Sequence, residues 1–154
     1  MALKIRLLSK KDSELVEQLW QNKEVREFLG GIPSLDYINR NFNKMIQSKN
    51  EYYFVVSYNE NNIGIISVDK YHDNENYEIS YQFFPDYWGK GLAYNSILLV
   101  LDYIKMNTKI KMIYAETQNN NIRSKKLLER LKMIEINKIE RFNELQVLYK
   151  IEFV

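Results

Sequence analysis

The hydrophobic period changes twice along this chain, and the double change constrains its fold more than any figure of composition. "YYFVVSY" (Tyr52 to Tyr58), the turn "NENN" and "IGIISVDKY" (Ile63 to Tyr71) alternate as an antiparallel hairpin does. "HDNEN" forms the next turn, and "YEISYQFF" (Tyr77 to Phe84) is a third strand. From Leu92 the period becomes helical, with Ile97, Leu98, Leu101 and Ile104 on one face. "MIYAET" (Met112 to Thr117) returns to a strand, "NIRSKKLLERLKM" (Asn121 to Met133) is a helix, and "IEINKIERF" with "LQVLYKIEF" closes the chain as a hairpin.

Ahead of this block, "LKIRLL" (Leu3 to Leu8) reads as a half-buried strand. Ser9, with Asp12 three residues on, marks a helix start. Leu15, Val16, Leu19 and Trp20 then follow at helical spacing. A second short helix is predicted over Lys23 to Leu29, stopped by Gly30-Gly31. A third opens at Pro33-Ser34 and carries Tyr37, Ile38, Phe42, Met45 and Ile46 on one face. The order is strand, helices, three strands, helix, strand, helix, two strands. That predicts an α+β fold whose mixed, largely antiparallel central sheet of about seven strands is flanked by helices, because a doubly wound sheet would alternate regularly. The 154 residues fit a single domain over 1–154.

Composition removes several kinds of chemistry. With no cysteine there is no disulfide framework, thiolate metal site or cysteine nucleophile, and no metal is expected. A net charge of +2 is too small to argue for nucleic acid. The basic cluster Arg123, Lys125, Lys126, Arg130 and Lys132 reads as one solvated helix face. The start "MALKIRLLSKKDSE" has a short apolar run broken by Lys4 and Arg6, unlike a signal peptide. No stretch approaches the roughly 18 apolar residues of a membrane span. A cytoplasmic protein without membrane partners, a monomer or homodimer, is the expectation.

The junction "FFPDYWGKGLAYNS" (Phe83 to Ser96) carries the chemical signal. Two of only 5 glycines, Gly89 and Gly91, flank Lys90 where a helix begins. A helix N-terminus presents unsatisfied N–H groups and the positive end of the helix dipole, and glycine lets a ligand approach the backbone. A pyrophosphate site and a plain tight turn both fit. Pro85 cannot donate to a ladder, so the strand ends or splays there.

Taken with "YAETQNNNIRSKKLLERLKM", this junction resembles the acetyl-CoA core of the GNAT-superfamily N-acetyltransferases. The family pattern [QR]-x-x-G-x-[GA] falls on Trp88 to Ala93, with Trp88 as the variant residue. The pattern N-x-x-S-x-x-L-L-E-x-L-G-[FM] falls on Asn121 to Met133, with Lys132 replacing its glycine. "IRLLSKKDSELVEQLWQNKEVREFLGG" is similar to the subfamily that acetylates N-termini of ribosomal proteins and some antibiotics.

The resemblance implies acetyl-CoA as donor and a primary amine of a protein N-terminus or small molecule as acceptor. It implies main-chain contacts to pantetheine from Gln82 and Phe83, and amides for the pyrophosphate from Gly89, Lys90, Gly91, Leu92, Ala93 and Tyr94. Asn121 either binds near the pantetheine or caps the helix, and Ser124 either reaches a phosphate or faces water. Glu78 is either the base or a solvated strand-edge residue, and Glu116 is the second candidate base. The family's tyrosine acid corresponds to Leu128, which leaves that role vacant or filled from elsewhere. The only histidine, His72, lies in a turn beside Asp73 and Asn74. Tyr37, Tyr52 and Tyr53 are candidate acceptor-pocket residues. A non-catalytic acyl-CoA-binding module is the alternative reading.

Overall fold

The computed structural model describes residues 2–153. Seven strands form one sheet in the order β1-β2-β3-β4-β5-β7-β6. They are β1 (Leu3–Leu7), β2 (Tyr52–Tyr58), β3 (Asn61–Lys70), β4 (Tyr77–Phe83), β5 (Met112–Gln118), β6 (Ile134–Arg141) and β7 (Glu144–Glu152). The helices are α1 (Ser13–Trp20), α2 (Leu35–Gln47), α3 (Leu92–Asn107) and α4 (Ile122–Arg130). Every neighbouring pair is antiparallel except β4 and β5. The expected α+β sheet is the one observed.

Alternation along the strands divides the two faces. Ile79 and Phe83 of β4 pack with Ile97, Val100, Leu101 and Ile104 of α3 and Leu128 of α4. On the other face Val55 and Ile65 meet Leu15, Val16 and Leu19 of α1 and Ile38 and Phe42 of α2. Gly64 of β3 is obligatory here, because a Cβ would collide with the Gln82 carbonyl and the Phe83 ring.

Two hairpins are tighter than the sequence suggests. Asn59 and Glu60 both adopt positive φ (50° and 72°), as do Phe142 and Asn143 (57° and 61°), so each turn has two residues and a primed geometry. The turn is therefore not the four residues "NENN", and β3 begins at Asn61.

The helix expected over Lys23 to Leu29 is absent: residues 23–30 form consecutive turns. Their backbone bonds mix spacings, Arg26 to Asn22, Leu29 to Arg26, and Gly31 back to Arg26. The Arg26 guanidinium caps the carbonyls of Leu29 at 2.7 Å and Gly31 at 2.9 Å. Within the segment only Val25 is fully buried, too little apolar surface to hold a regular helix.

Lys132, standing where the family pattern has glycine, has φ of 67°. Its N–H bonds to the Glu129 carbonyl and that of Met133 to the Leu128 carbonyl, a Schellman ending for α4. The substitution leaves the loop's course intact but strains it. A left-handed side chain costs roughly 1–2 kcal/mol, against roughly 0.5–1 kcal/mol for the extra freedom glycine loses. Lys132→Gly is expected to stabilise the protein by about 0.5 kcal/mol, read as a higher urea midpoint at unchanged slope. A lower midpoint would contradict this account of the αL position.

Candidate active site

The parallel pair β4 and β5 is joined only at Tyr77–Ile113 and Glu78–Tyr114. Beyond Glu78 the strands part, giving the splay expected before Pro85. Phe84 donates to the Ile63 carbonyl and Tyr71 to that of Asn76, both in the β3–β4 register. Because bonding alternates along an antiparallel pair, even-numbered residues of β4 direct their main-chain groups at β3. Gln82 is one of them, paired with Ile65. The main-chain role expected of Gln82 is thus unavailable, and the odd-numbered Ile79, Tyr81 and Phe83 turn theirs to the gap. The Phe83 carbonyl already accepts from the Trp88 indole N–H at 2.8 Å.

A cleft of about 890 Å³ runs through this gap from the glycine loop to the far face of the sheet. At one end Gly89 and Gly91 both have positive φ (74° and 75°), and Gly91 is the N-cap of α3. A Cβ on Gly89 would meet nothing, and one on Gly91 only the Asn95 amide at 3.9 Å. The loop therefore needs glycine for its backbone conformation, and its exposed side is open. The amides of Leu92, Ala93 and Tyr94 belong to the first turn of α3, which has no intrahelical acceptors for them. All three line the cleft, and Leu92 also buries its side chain in the core. Lys90 is exposed and its ammonium lies 5.8 Å from the Tyr87 ring centre.

The opposite wall is α4. Asn121 caps it, accepting from the Ser124 N–H at 3.2 Å, and also lines the cleft. Ser124 is half-buried and lines the cleft, where its hydroxyl meets that of Tyr81 at 2.5 Å, so it does not face open water. Arg123, Lys126 and Arg130 line the same wall. Arg123 stacks 3.8 Å over Trp88 and Arg130 3.9 Å over Tyr94, so this end gathers cations beside orphan amides. These three side chains are exposed, as expected of a solvated face, but that face also borders the cleft. Their spacing at 123, 126 and 130 put them on one helix face, but only the tertiary fold turns that face to the loop.

On the far side of the splay the charge reverses. Glu78 sits in register beside Asp69 of β3, and Glu78 and Glu116 both line the cleft. Glu116 is engaged: Arg141 holds it at 3.0 Å and the Tyr71 hydroxyl donates to it at 2.7 Å. Glu78 has no such cation. Burial, with the charges of Asp69 and Glu116 added, pushes its carboxyl up to about 8, only partly opposed by Arg141. Burial and Glu51 raise Asp69 to about 6, against the hydrogen bond from Tyr53. Glu78 is therefore a half-buried acid, not a solvated edge residue.

A second cavity of about 230 Å³ adjoins this end, lined by Glu51, Tyr53, Asp69, Gln82 and Lys44 among others. Buried in the same region without protein partners are the Trp20 indole N–H and the Gln82 side-chain oxygen. Of the tyrosines expected here, Tyr53 lines this cavity, Tyr52 packs on the α3 face and Tyr37 is exposed against Trp20. His72 lies 5.0 Å from Tyr71, ring centre to ring centre, and is exposed. Among the described residues no cluster of metal-ligating side chains occurs, and no helix is long and apolar enough to cross a membrane.

The model of the acetyltransferase (GNAT) domain matches residues 2–134. An uncharacterised N-acetyltransferase, p20, of Bacillus licheniformis is 26% identical over 137 residues, 84% of this chain and 77% of that one. A GNAT-family acetyltransferase from Bacillus anthracis superposes with a TM-score of 0.82 at 26% identity, covering 99% of this chain and 95% of the other. The spermidine N-acetyltransferase of Vibrio cholerae, solved with CoA and spermine, gives 0.85 at 23% identity over 97% and 95% of the two chains. With its splayed parallel pair, its glycine-opened helix and this match, the chain belongs to the GNAT family and is a GNAT-family N-acetyltransferase.

Proposed function

We propose that the protein transfers an acetyl group from acetyl-CoA to a primary amine, by direct attack of the amine on the thioester with Glu78 as base. The observation that carries this reading is the cleft through the β4–β5 splay, which joins a cationic, amide-rich end to a half-buried carboxyl without an ion-pair partner. The donor fits the first end. Amides of residues 89–94, Arg123, Lys126 and Arg130 suit its phosphates, and the free main-chain groups of Ile79 and Tyr81 suit pantetheine amides. What the donor supplies is an activated acetyl group; orientation and proton removal are the protein's part.

The acceptor fits the second end. Glu51, Asp69 and Glu78 make that region acidic, which favours a protonated amine over a neutral or anionic acceptor. A protein N-terminus, an aminoglycoside or a polyamine all meet that requirement. Glu78 takes the ammonium proton, and Glu116, held by Arg141 and Tyr71, keeps its charge in place as an electrostatic neighbour.

Thiol release from acetyl-CoA, followed across polyamines, aminoglycosides and peptides with free N-termini at pH 8.5, tests the reading; the pH is set about half a unit above the value of about 8 for Glu78. At least one cationic amine should release CoA well above the rate of spontaneous hydrolysis. Tight CoA binding without release for any amine would favour a non-catalytic acyl-CoA-binding module, the reading that the aliphatic Leu128 supports.

A further inference from the structure

Three walls of the cationic end of the cleft meet at one side chain. The Trp88 indole N–H donates to the Phe83 carbonyl at 2.8 Å, at the end of β4. The next residue in the chain is Gly89, where the glycine loop begins. The Arg123 guanidinium of α4 lies 3.8 Å from the centre of a Trp88 ring. From this junction we infer that Trp88 is a strut that fixes the distance between the splayed edge of β4 and the glycine loop. It is thereby a positioning residue for a donor long enough to touch both. The inference rests on the placement of the donor proposed above.

The carbonyl that the indole meets has no strand to pair with. The register that sets Tyr77 beside Ile113 would set Phe83 beside Asn119, past the end of β5 at Gln118. Phe83 is buried, and a buried carbonyl without a donor is costly. The indole supplies that donor from within the same turn of chain.

Both ends of the strut are anchored. On the strand side the Phe83 ring packs in the core, and Gly64 of β3 lies so close that a Cβ there would collide with it. On the loop side the Tyr87 N–H bonds to the Phe84 carbonyl and the Trp88 N–H to the Pro85 carbonyl, both at 3.0 Å. With the indole bond, these fold residues 83–88 into a closed turn that delivers the chain to Gly89. Trp88 also packs against the cores on both faces of the sheet, so it lies across the splay and not on one side of it.

A fixed separation matters only to a ligand that spans it. The pyrophosphate and the pantetheine arm of CoA are covalently joined, so their contacts reinforce each other only when the two sites stand at the matching distance. A fragment that touches one site is indifferent to that distance. The strut therefore acts on the excess of CoA affinity over the affinities of its parts. A tryptophan that merely stabilised the fold would act on every ligand alike.

Calorimetry on Trp88→Phe and wild type, with CoA, pantetheine and ADP as ligands, makes the test; ADP carries the pyrophosphate without the arm. The phenyl ring keeps most of the apolar packing and loses the N–H. CoA binding should weaken roughly tenfold or more, while each fragment changes less than about threefold. Equal losses for all three ligands, or a CoA affinity within about twofold of wild type, would overturn the strut. Should Trp88→Phe fail to fold, Arg123→Lys keeps the charge and loses the flat stack on the indole. Its loss should again fall more heavily on CoA than on either fragment. An equal loss on ADP, or none on CoA, would overturn the assignment. Failure of the wild-type protein to bind CoA more tightly than either fragment would instead strike the placement of the donor across both walls.

Discussion

Gly91→Val is expected to weaken CoA binding by at least about 100-fold while leaving the protein folded. Gly91 holds φ at 75°, a region that a β-branched residue enters at a cost of roughly 1–3 kcal/mol. The chain relieves the strain most cheaply by rotating the peptide units around residue 91, since the loop is exposed and a Cβ meets little there. That rotation turns the amides of the first turn of α3 away from a common point. Each charge-assisted bond lost is worth roughly 1.5–3 kcal/mol, so two suffice for the expected factor.

A truncated ligand separates this from general damage. Pantetheine has no phosphates and, in the proposed reading, would lean on the main chain of β4, so its weaker binding should change less than about threefold on the same scale. Calorimetry with both ligands, beside a thermal melt, makes the measurement. A folded Gly91→Val protein with unchanged CoA affinity would move the phosphate site away from this loop, and equal losses for both ligands would assign the effect to the fold.

How far the sequence discloses this site depends on whether a feature is local. Pro85 after the alternating run "YEISYQFF" discloses the splay, because a missing donor ends a strand wherever it lies. Gly89 and Gly91 disclose a backbone conformation, and positive φ is observed at both. Which edge of β4 carries the free main-chain groups is different: it is fixed by the register with β3, a relation between distant residues. The sequence therefore does not separate Gln82 from Phe83. The basic face of α4 carries no mark of its destination either. Arg123 and Arg130 come to line the cleft only because Trp88 and Tyr94 lie opposite them. Segment 23–31 fails for a related reason. Its helical spacing is real, but it lacks enough buried anchors to enforce it, and the Arg26 side chain takes over the carbonyls at its end.

The distinction between Glu78 and Glu116 belongs to the same class of non-local facts, and it underlies the largest kinetic effect expected. Two carboxylates on neighbouring strands look alike in sequence, yet Arg141 comes from the β6 end of the last hairpin to claim only one. The other loses solvent without gaining a cation, so its proton is held up to about pH 8. Glu78→Gln should lower kcat by roughly 10²–10⁴-fold, the range for a lost general base, with CoA affinity nearly unchanged. The pH profile identifies the role. With Glu78 as base toward a protonated amine, kcat/KM should rise tenfold per unit up to about pH 8 and then level. It should fall only as the amine loses its own proton, near about 10 for a lysine-like amine. In the variant the free amine must form in solution, so the break at 8 should vanish and the rate should climb until the amine is neutral, recovering part of the loss.

Stability supplies an independent sign. A carboxyl whose folded value lies above its ordinary 4.5 binds an extra proton in the native state between 4.5 and about 8. Wild-type stability therefore carries a component that falls as pH rises through that window and is fully lost above it. The glutamine would stay neutral throughout, so the melting temperature of Glu78→Gln should match that of wild type near pH 4.5 and exceed it increasingly up to about pH 8, above which the difference levels. An active Glu78→Gln enzyme with the wild-type break retained would return the proton to Glu116 or to water, whatever the melts showed.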